Sequence, residues 1–467
     1  MKPVLTVSEM RAVDAEALAV VDQATLVQRA GTAVAVAALE LLGGAYGRRV
    51  VVVAGKGNNG ADGKVAADRL RRRGAVVSVL DAACAPASIG PAGAVDLVVD
   101  AAYGTGFRGV YEAPEVPSGV PVVAVDIPSG VDGDTGEAAG RPLRAARTVT
   151  FAAYKPGLLQ GDGPYLAGQV TVADIGLDAS RARIWVVEDD DLALVPARRR
   201  DAHKWHSAVA VVAGAAGMAG AAALCARAAS RSGAGMVRLG MPGVSPADLP
   251  VSEAVGTALA AEDWAPAALA MAERCNAVVV GPGLGRSEST ARAVRELVAR
   301  CPVPVVVDAD GLFALGDAQG AAAAVAAGPA GRPVVLTPHD AEFGRLAGRP
   351  PGADRIAATR ALAERTGAVV LLKGPTTVVA DPTGAVRLAV AGSPRLATAG
   401  TGDVLAGILG AFCARQVPAF EAAALAAHVH GRAGALGPVE GLVAGDLPEL
   451  VSAWLSGWRS AAGEGSA

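Results

Sequence analysis

Three loops in the first half of the chain place polar side chains where a run of valines stops. Gly55-Lys-Gly-Asn-Asn-Gly-Ala-Asp-Gly63 follows one such run and opens a helix. Its glycines let the backbone approach a ligand closely, and the free N–H groups of a helix N-terminus favour an anion. Asn58 and Asn59 add two amides, each offering donors and an acceptor. The GxGxxG fingerprint is not matched, so an ordinary dinucleotide dehydrogenase is a weaker fit. Asp100 closes Leu97-Val-Val-Asp100 and leads into Gly104-Thr-Gly-Phe-Arg-Gly109, and Asp126 closes Val122-Val-Ala-Val-Asp126 and leads into Ile127-Pro-Ser-Gly-Val-Asp132. One strand-end aspartate is as readily a cap or turn former as a ligand; three such loops together favour a site, because ligands of open parallel sheets bind beyond the carboxyl ends of strands.

A second constellation lies late in the chain. In Leu396-Ala-Thr-Ala-Gly-Thr-Gly-Asp-Val-Leu-Ala-Gly407, the residues Gly400, Thr401 and Gly402 precede an apolar helical run. Their N–H groups can gather round a phosphate as charge builds on it, and Asp403 can take a proton from an attacking hydroxyl. Leu372-Lys-Gly-Pro-Thr-Thr377 offers a strand-end lysine and hydroxyls for nucleotide phosphates. Gly281-Pro-Gly-Leu-Gly285 and Asp308-Ala-Asp-Gly311 each follow a valine run, and Thr337-Pro-His-Asp-Ala-Glu342 adds His339, a residue type more often structural than ligating when alone.

The elements that must position these groups are legible as alternating helices and buried strands. The first half predicts helices over 8–20, capped by Ser8, over 26–42 and over 63–73. Its strands are predicted at 49–54, 76–80, 94–100 and 121–127, with 149–151 and 169–173 finishing the sheet. A charged, proline-containing segment, 188–204, marks the change of domain. A new series of strands follows at 208–213, 277–280, 303–308, 334–336 and 369–372. A hairpin at 377–380 and 386–391 turns on Asp381-Pro-Thr-Gly384. The tail after Trp458 is small and polar and is expected to fray. The expected fold class is α/β in two domains, residues 1–195 as a Rossmann-like three-layer parallel sheet and 196–467 as a second α/β domain.

The motifs GNNGADG, VDAAYGTGFRG, DIPSGVDGDTG and TVTFAAYKPGLL, with SEMRAVD and LVQRAG before them, resemble in order and spacing those of the NAD(P)HX epimerase domain. The resemblance covers most of residues 1–185. It implies a potassium ion held by Asn59, Asp100 and Ser129, an oxygen-rich set suited to a hard cation. It implies substrate contacts from Asn58, Asn59, Gly60, Ala61 and Asp62, from Gly104, Thr105, Gly106, Phe107, Arg108, Gly109 and Val110, and from Asp126, the expected acid/base at the hydrated carbon. Ala61 stands where the family usually has a third glycine, and Gln28 where an acid is common. A methyl group at position 61 is expected to narrow the backbone approach.

The segments GPGLG, VDADGL, LTPHDAEF, LKGPTTVVADP and AGSPRLATAGTGDVLAG, with RSGAGMVRL upstream, resemble the ribokinase superfamily and within it the ADP-dependent NAD(P)HX dehydratase, over about residues 200–455. This implies ADP contacts from Lys373, Gly374, Pro375, Thr376 and Thr377, and from Ser393, Gly400, Thr401 and Gly402. It implies substrate contacts from Gly285, His339 and Asp403, with Asp403 catalytic. Magnesium is expected with the nucleotide, since phosphoryl transfer needs its charge neutralised. The residues alone suit ADP or ATP; the resemblance implies ADP. Together the halves imply repair of hydrated NADH and NADPH, the first interconverting the R and S hydrates and the second dehydrating the S form with release of AMP and phosphate.

The whole composition narrows the alternatives. Hydrophobic residues make up 52% and charged residues 19%, which excludes a largely disordered chain. A net charge of −3 without a basic run argues against nucleic acid. Five scattered cysteines, Cys84, Cys225, Cys275, Cys301 and Cys413, with no CxxC pair, suit a reducing cytoplasm. The uncharged stretch 207–226 is rich in Ala and Gly, and reads as a strand, a loop and a helix rather than a membrane span. His203 and His206, and His428 and His430, lack the spacing or third ligand of a metal site. A homo-oligomer is expected. The rival reading is a vitamin-precursor kinase sharing the GTGD core, fused to a non-catalytic binding domain.

Overall fold

The computed structural model describes residues 1–91 and 93–463. The chain divides into two compact units, Lys2–Ile184 and, apart from Met1, Trp185–Ala467.

In the first unit, helices α1 (Val7–Leu18) and α2 (Gln23–Leu42) precede strand β1 (Arg49–Ala54), helix α3 (Asn58–Arg72) and strands β2 (Val76–Asp81), β3 (Leu97–Ala101), β4 (Val122–Val125), β5 (Arg147–Phe151) and β6 (Gln169–Ala173). The sheet order is β2-β1-β3-β4-β5-β6 with every pairing parallel. Valine runs such as Val50–Val53 and Leu97–Val99 are buried, as expected of strands covered on both faces. The strand order reverses between β1 and β3, and ligands bind at such a switch point. Helix α2 is long and apolar enough to cross a membrane by length and composition. Here Ala30, Val34, Ala38 and Leu42, four residues apart, bury one stripe of it in the core of this unit.

Two helix starts differ from expectation. Thr6, not Ser8, caps α1, and Glu9 three residues on completes a reciprocal capping box, with the Glu9 N–H donating to Thr6 Oγ1 at 3.2 Å and the Thr6 N–H to Glu9 Oε2 at 2.8 Å. Helix α3 begins at Asn58, so the Asn-Asn-Gly sequence is its first turn rather than a loop before it.

The second unit is built on a larger sheet. Its parallel strands are β7 (Ala208–Val212), β8 (Met236–Pro242), β9 (Val255–Leu259), β10 (Ala277–Val280), β11 (Val305–Val307), β12 (Val334–Leu336) and β13 (Val369–Leu372). Antiparallel strands β14 (Thr377–Ala380) and β15 (Val386–Ala389) extend it, giving the order β15-β14-β13-β12-β11-β10-β7-β8-β9. Strands β8 and β9 were not expected. The uncharged stretch 207–226 divides into β7 and a helix, α4 (Ala219–Arg231). On the same face lie α9 (Thr401–Ala414), α10 (Ala419–Leu436) and α11 (Leu447–Ala461), reached after α5 (Glu288–Arg300), α6 (Asp310–Leu315), α7 (Asp340–Ala347) and α8 (Arg355–Thr366). Helix α9 is buried along its whole length except Gly402 and Asp403. The charged segment expected to link the domains contributes Leu192 and Val195 to this core, and its Asp189 bonds His428 Nε2 at 2.7 Å. Helix α11 runs past Trp458 to Ala461; the rest of the tail expected to fray includes residues 464–467, which lie outside the described residues.

Candidate active sites

A cavity of about 520 Å³ opens over the switch point of the first sheet. Asn58, Asn59 and Asp62 reach it from α3, Gly104 to Phe107 from the loop after β3, and Asp126 from the end of β4. Asp126 has a positive φ of 65°, and Ile127 N–H bonds the Val125 carbonyl at 2.8 Å, so a three-residue turn aims the carboxylate off the strand. The same turn recurs at Ala152 beyond β5 (φ 63°), where Ala153 N–H bonds the Phe151 carbonyl at 2.7 Å. It carries the chain to Lys155, whose side chain is 1% exposed and whose Nζ lies 2.6 Å from Asp126 Oδ1. Thr150 Oγ1 donates to the same oxygen at 3.0 Å.

Two further acids face this pair. Met10, Asp14 and Leu18, spaced by four on α1, line the cavity. Burial raises Asp14, offset by Lys155 and reinforced by Asp126. Burial, then the charges of Asp126 and Asp14, push the Asp62 carboxyl up to about 8. Sequence reasoning passed over Lys155 and Asp14. The signal for Lys155 was its place just past a strand end; for Asp14, an acid one turn after the buried Met10 on the same helix face.

Beneath the cavity, Asp100 is fully buried, and burial raises its carboxyl against the bonds it accepts from Ser129 N (2.9 Å) and Ser129 Oγ (2.6 Å). Asn59 Nδ2 donates to the Val125 carbonyl at 3.0 Å, which turns its Oδ1 toward Gly104. Gly60 is required by packing, since a β-carbon there would overlap the Gly55 carbonyl. Of the expected contacts, Gly60, Ala61, Arg108, Gly109 and Val110 do not line the cavity; Val110 is exposed and Arg108 lies 3.5 Å from Asp132. Ala61 sits in the first turns of α3, its N–H bonded to the Gly57 carbonyl at 3.1 Å, and it is not among the residues that line the cavity. Ala61→Gly is therefore expected to leave epimerisation unchanged and to lower stability by about 0.5–1 kcal/mol, the helix-interior cost of glycine, measured by urea unfolding.

In the second unit the register levels Val280, Val307 and Leu336, so Gly281, Asp308 and Thr337 share one carboxyl edge. Asp308 Oδ1 accepts from Thr337 Oγ1 and from Lys373 Nζ, both at 2.8 Å, and Glu342 Oε2 lies 3.7 Å from the same ammonium. Burial pulls the Lys373 ammonium down, but Asp308, Glu342 and Asp403 outweigh it and leave it raised. A β-carbon at Gly402 would stand 3.4 Å from Lys373 Nζ, so the first turn of α9 meets the lysine directly. Gly400, with φ 90°, is the left-handed residue that starts this helix. Burial and Asp308 push Asp403 up to about 7, Lys373 opposing and Asp310 and Glu342 adding.

The other expected nucleotide residues gather nearby. Arg355 Nη2 donates to the Lys373 carbonyl at 2.8 Å, Thr377 Oγ1 donates to the Gly374 carbonyl at 3.4 Å, and Gly392, beside Ser393, packs on the Pro375 carbonyl. Thr376 is buried, and Thr401 Oγ1 donates to the Leu396 carbonyl at 2.8 Å. Gly285 N–H donates to Asp310 Oδ2 at 2.9 Å. His339 is half-exposed and caps α7, its Nδ1 accepting from Ala341 N–H at 3.1 Å. His203 and His206 bond each other's backbone turn at the surface, with His203 N–H donating to His206 Nδ1 at 3.2 Å.

The family model described as NAD(P)H-hydrate dehydratase matches residues 209–455, and that described as YjeF-related protein N-terminus matches 23–90 and 82–157. A ribokinase-like superfamily protein of Enterococcus faecalis V583 has the fold of the second unit, with TM-score 0.52 and 22% identity over 59% of this chain and 96% of its own. The bifunctional NAD(P)H-hydrate repair enzyme of Mycobacterium tuberculosis (strain H37Rv) is 40% identical over 91% of this chain and 92% of its own. That of Mycobacterium leprae (strain TN) is 39% identical over 99% of each chain. These relatives match through both units, which favours the two-activity reading over a vitamin-precursor kinase fused to a non-catalytic domain, and the chain belongs to the family of bifunctional NAD(P)H-hydrate repair enzymes.

Proposed function

We propose that the first unit interconverts the two epimers of hydrated NADH and NADPH and that the second dehydrates the S epimer at the expense of ADP. The observation that carries the second activity is Asp403 on the first turn of α9, beside the Lys373–Asp308 pair and behind the left-handed Gly400. The ring hydroxyl attacks the β-phosphorus of ADP while Asp403 accepts its proton, the bond to the α-phosphate oxygen breaks, and AMP leaves. The C–O bond then breaks with phosphate departing, the neighbouring carbon loses a proton, and the ring double bond returns. Phosphorylation is useful because hydroxide is a poor leaving group and phosphate a good one. Lys373 and the N–H groups at Gly400 to Gly402 hold the charge on the moving phosphoryl group.

Magnesium would travel with the nucleotide. Asp308, Glu342 and Asp403 outnumber Lys373, so the edge tolerates added positive charge, while no cluster of His, Cys, Asp and Glu among the described residues forms a cage without the phosphates. When bound it would neutralise the phosphates.

In the first unit, the hydrated carbon bears both a hydroxyl and the ring nitrogen. Asp62, kept protonated near neutral pH, donates to the departing hydroxyl, and the nitrogen lone pair meets the electron deficit as C–O breaks. Water returns on the other face and loses its proton to Asp126, which Lys155 and Thr150 orient. Potassium suits the donor set beneath: Asp100 is a buried carboxyl without a cation partner among the described residues, Ser129 Oγ lies 2.6 Å from it, and Asn59 Oδ1 is turned toward Gly104 on the loop that follows. Asn59, Asp100 and Ser129 would hold the ion, which would neutralise Asp100 and tie the three loops together. Five free thiols support a reducing cytoplasm as its place of work.

The test is to incubate the protein with mixed-epimer NADHX, magnesium, potassium and ADP, and follow near-ultraviolet absorbance of the reduced ring. Complete conversion is expected; conversion halting at the fraction of one epimer would remove the epimerase assignment, and none with ADP would remove the donor. The kcat/KM for dehydration is expected to rise with pH through an apparent value of about 7 and level off above it, because Asp403 must be ionised to accept a proton. A profile flat from pH 5.5 to 8.5 (roughly this span either side of that value) would exclude Asp403 as the base.

A further inference from the structure

Past the Lys373–Asp308–Asp403 cluster lies a second cavity, of about 270 Å³, that none of the expected contacts except His339 reaches. Its floor is Phe313, with the Arg345 guanidinium 3.5 Å from the ring centroid and Arg286 at 4.7 Å. The two arginines are not equivalent. Arg286 Nε is paired to Asp310 at 2.8 Å, the same carboxylate that holds the Gly285 N–H. Arg345 has no ion pair or hydrogen bond among the described residues; it rests only on the ring face. Stacking leaves all of the in-plane N–H donors of a guanidinium available to an oxyanion.

Glu342 joins this cavity to the reaction centre. It lines the cavity, its Oε2 lies 3.7 Å from Lys373 Nζ, and it accepts from the His339 N–H at 2.9 Å. A dinucleotide whose hydrated ring meets Asp403 must send its phosphates and adenosine somewhere, and those groups carry the negative charge that an unpaired arginine seeks. We propose that the cavity over Phe313 binds a phosphate of the hydrated dinucleotide, with Arg345 as its ligand. This rests on the dehydratase reading above. The shared chemistry is a phosphate ester, present in the substrate as pyrophosphate and, in NADPHX, as the 2′-phosphate; the ADP donor carries phosphates too.

Arg345→Gln in the full chain separates these. Removing a charge-assisted contact to phosphate is expected to raise KM for the hydrated dinucleotide about tenfold, with kcat and KM for ADP unchanged. A rise confined to NADPHX assigns Arg345 to the 2′-phosphate, and a rise for NADHX as well assigns it to the pyrophosphate. Arg345→Lys, which keeps the charge, should recover part of the loss. A rise in KM for ADP alone, or no rise at all, overturns the proposal. Should the wild-type protein fail to dehydrate, the reading above fails, and binding of the product NADPH, followed by its fluorescence, still decides. Weaker binding by Arg345→Gln supports the site; equal binding overturns it.

Discussion

Asp403→Asn is expected to lower kcat for dehydration by about three orders of magnitude, within the range supplied by general bases, while leaving KM for ADP nearly unchanged. Asparagine keeps the volume and a polar end at the first turn of α9, so Gly400 and the helix entry stay as they are. It cannot take the hydroxyl proton. No neighbour can stand in: Asp308 is committed to Lys373 and Thr337, and Glu342 to the cap of α7. Epimerisation, carried by the other unit, should persist at the wild-type rate. Single-turnover quench experiments with ADP would show the phosphoryl step itself slowed. Unchanged AMP release would mean that the proton goes elsewhere.

Asp126→Ala is expected to reduce epimerisation by a similar factor, with dehydration of pure S hydrate intact. This variant also strands Lys155, buried at 1% exposure, without its carboxylate, and breaking a buried pair costs about 3–5 kcal/mol. Asp126→Asn keeps a hydrogen-bond acceptor for Lys155 and a side chain that tolerates the left-handed backbone. If the loss were only structural, the asparagine variant would regain activity; if Asp126 takes the proton, both variants are inactive although only the alanine variant unfolds early. Loss of both activities in either variant would break the assignment of separate sites. Chiral chromatography of the two hydrates, with circular dichroism melts, reads all three outcomes.

Sequence reasoning found what local chemistry announces. Valine runs ending in glycine or aspartate, such as Val50–Ala54 before Gly55 and Val122–Val125 before Asp126, mark buried parallel strands and the edges where ligands sit. It failed where a partner far along the chain decides. Asn58-Asn59-Gly60 has poor helix propensity, yet it is the first turn of α3, where Gly60 packs against the Gly55 carbonyl and Asn58 and Asn59 line the cavity. Strands β8 and β9 lack the uniform valine run because they lie toward the sheet edge, where β9 is largely accessible. Lys155 looks like any surface lysine until the turn at Ala152 brings it to Asp126. Arg345 and Phe313, on different helices, have no joint signature in one dimension.

The two sites rest on elements of unequal depth. Asp403 begins a helix that is enclosed along nearly all its length, so opening that end requires disrupting the main core of its unit. One wall of the other cavity is α1, where only Val7 and Met10 are buried. Free energies of local opening follow such differences in buried apolar contact, from near zero for lightly held helices to the full unfolding value for core ones. The proposed base Asp403 is thereby set at the start of one of the most deeply buried helices of its unit. Helix α1 is therefore expected to open at a lower free-energy cost than α9, and lower hydrogen-exchange protection over Val7–Leu18 than over Thr401–Ala414 would show it.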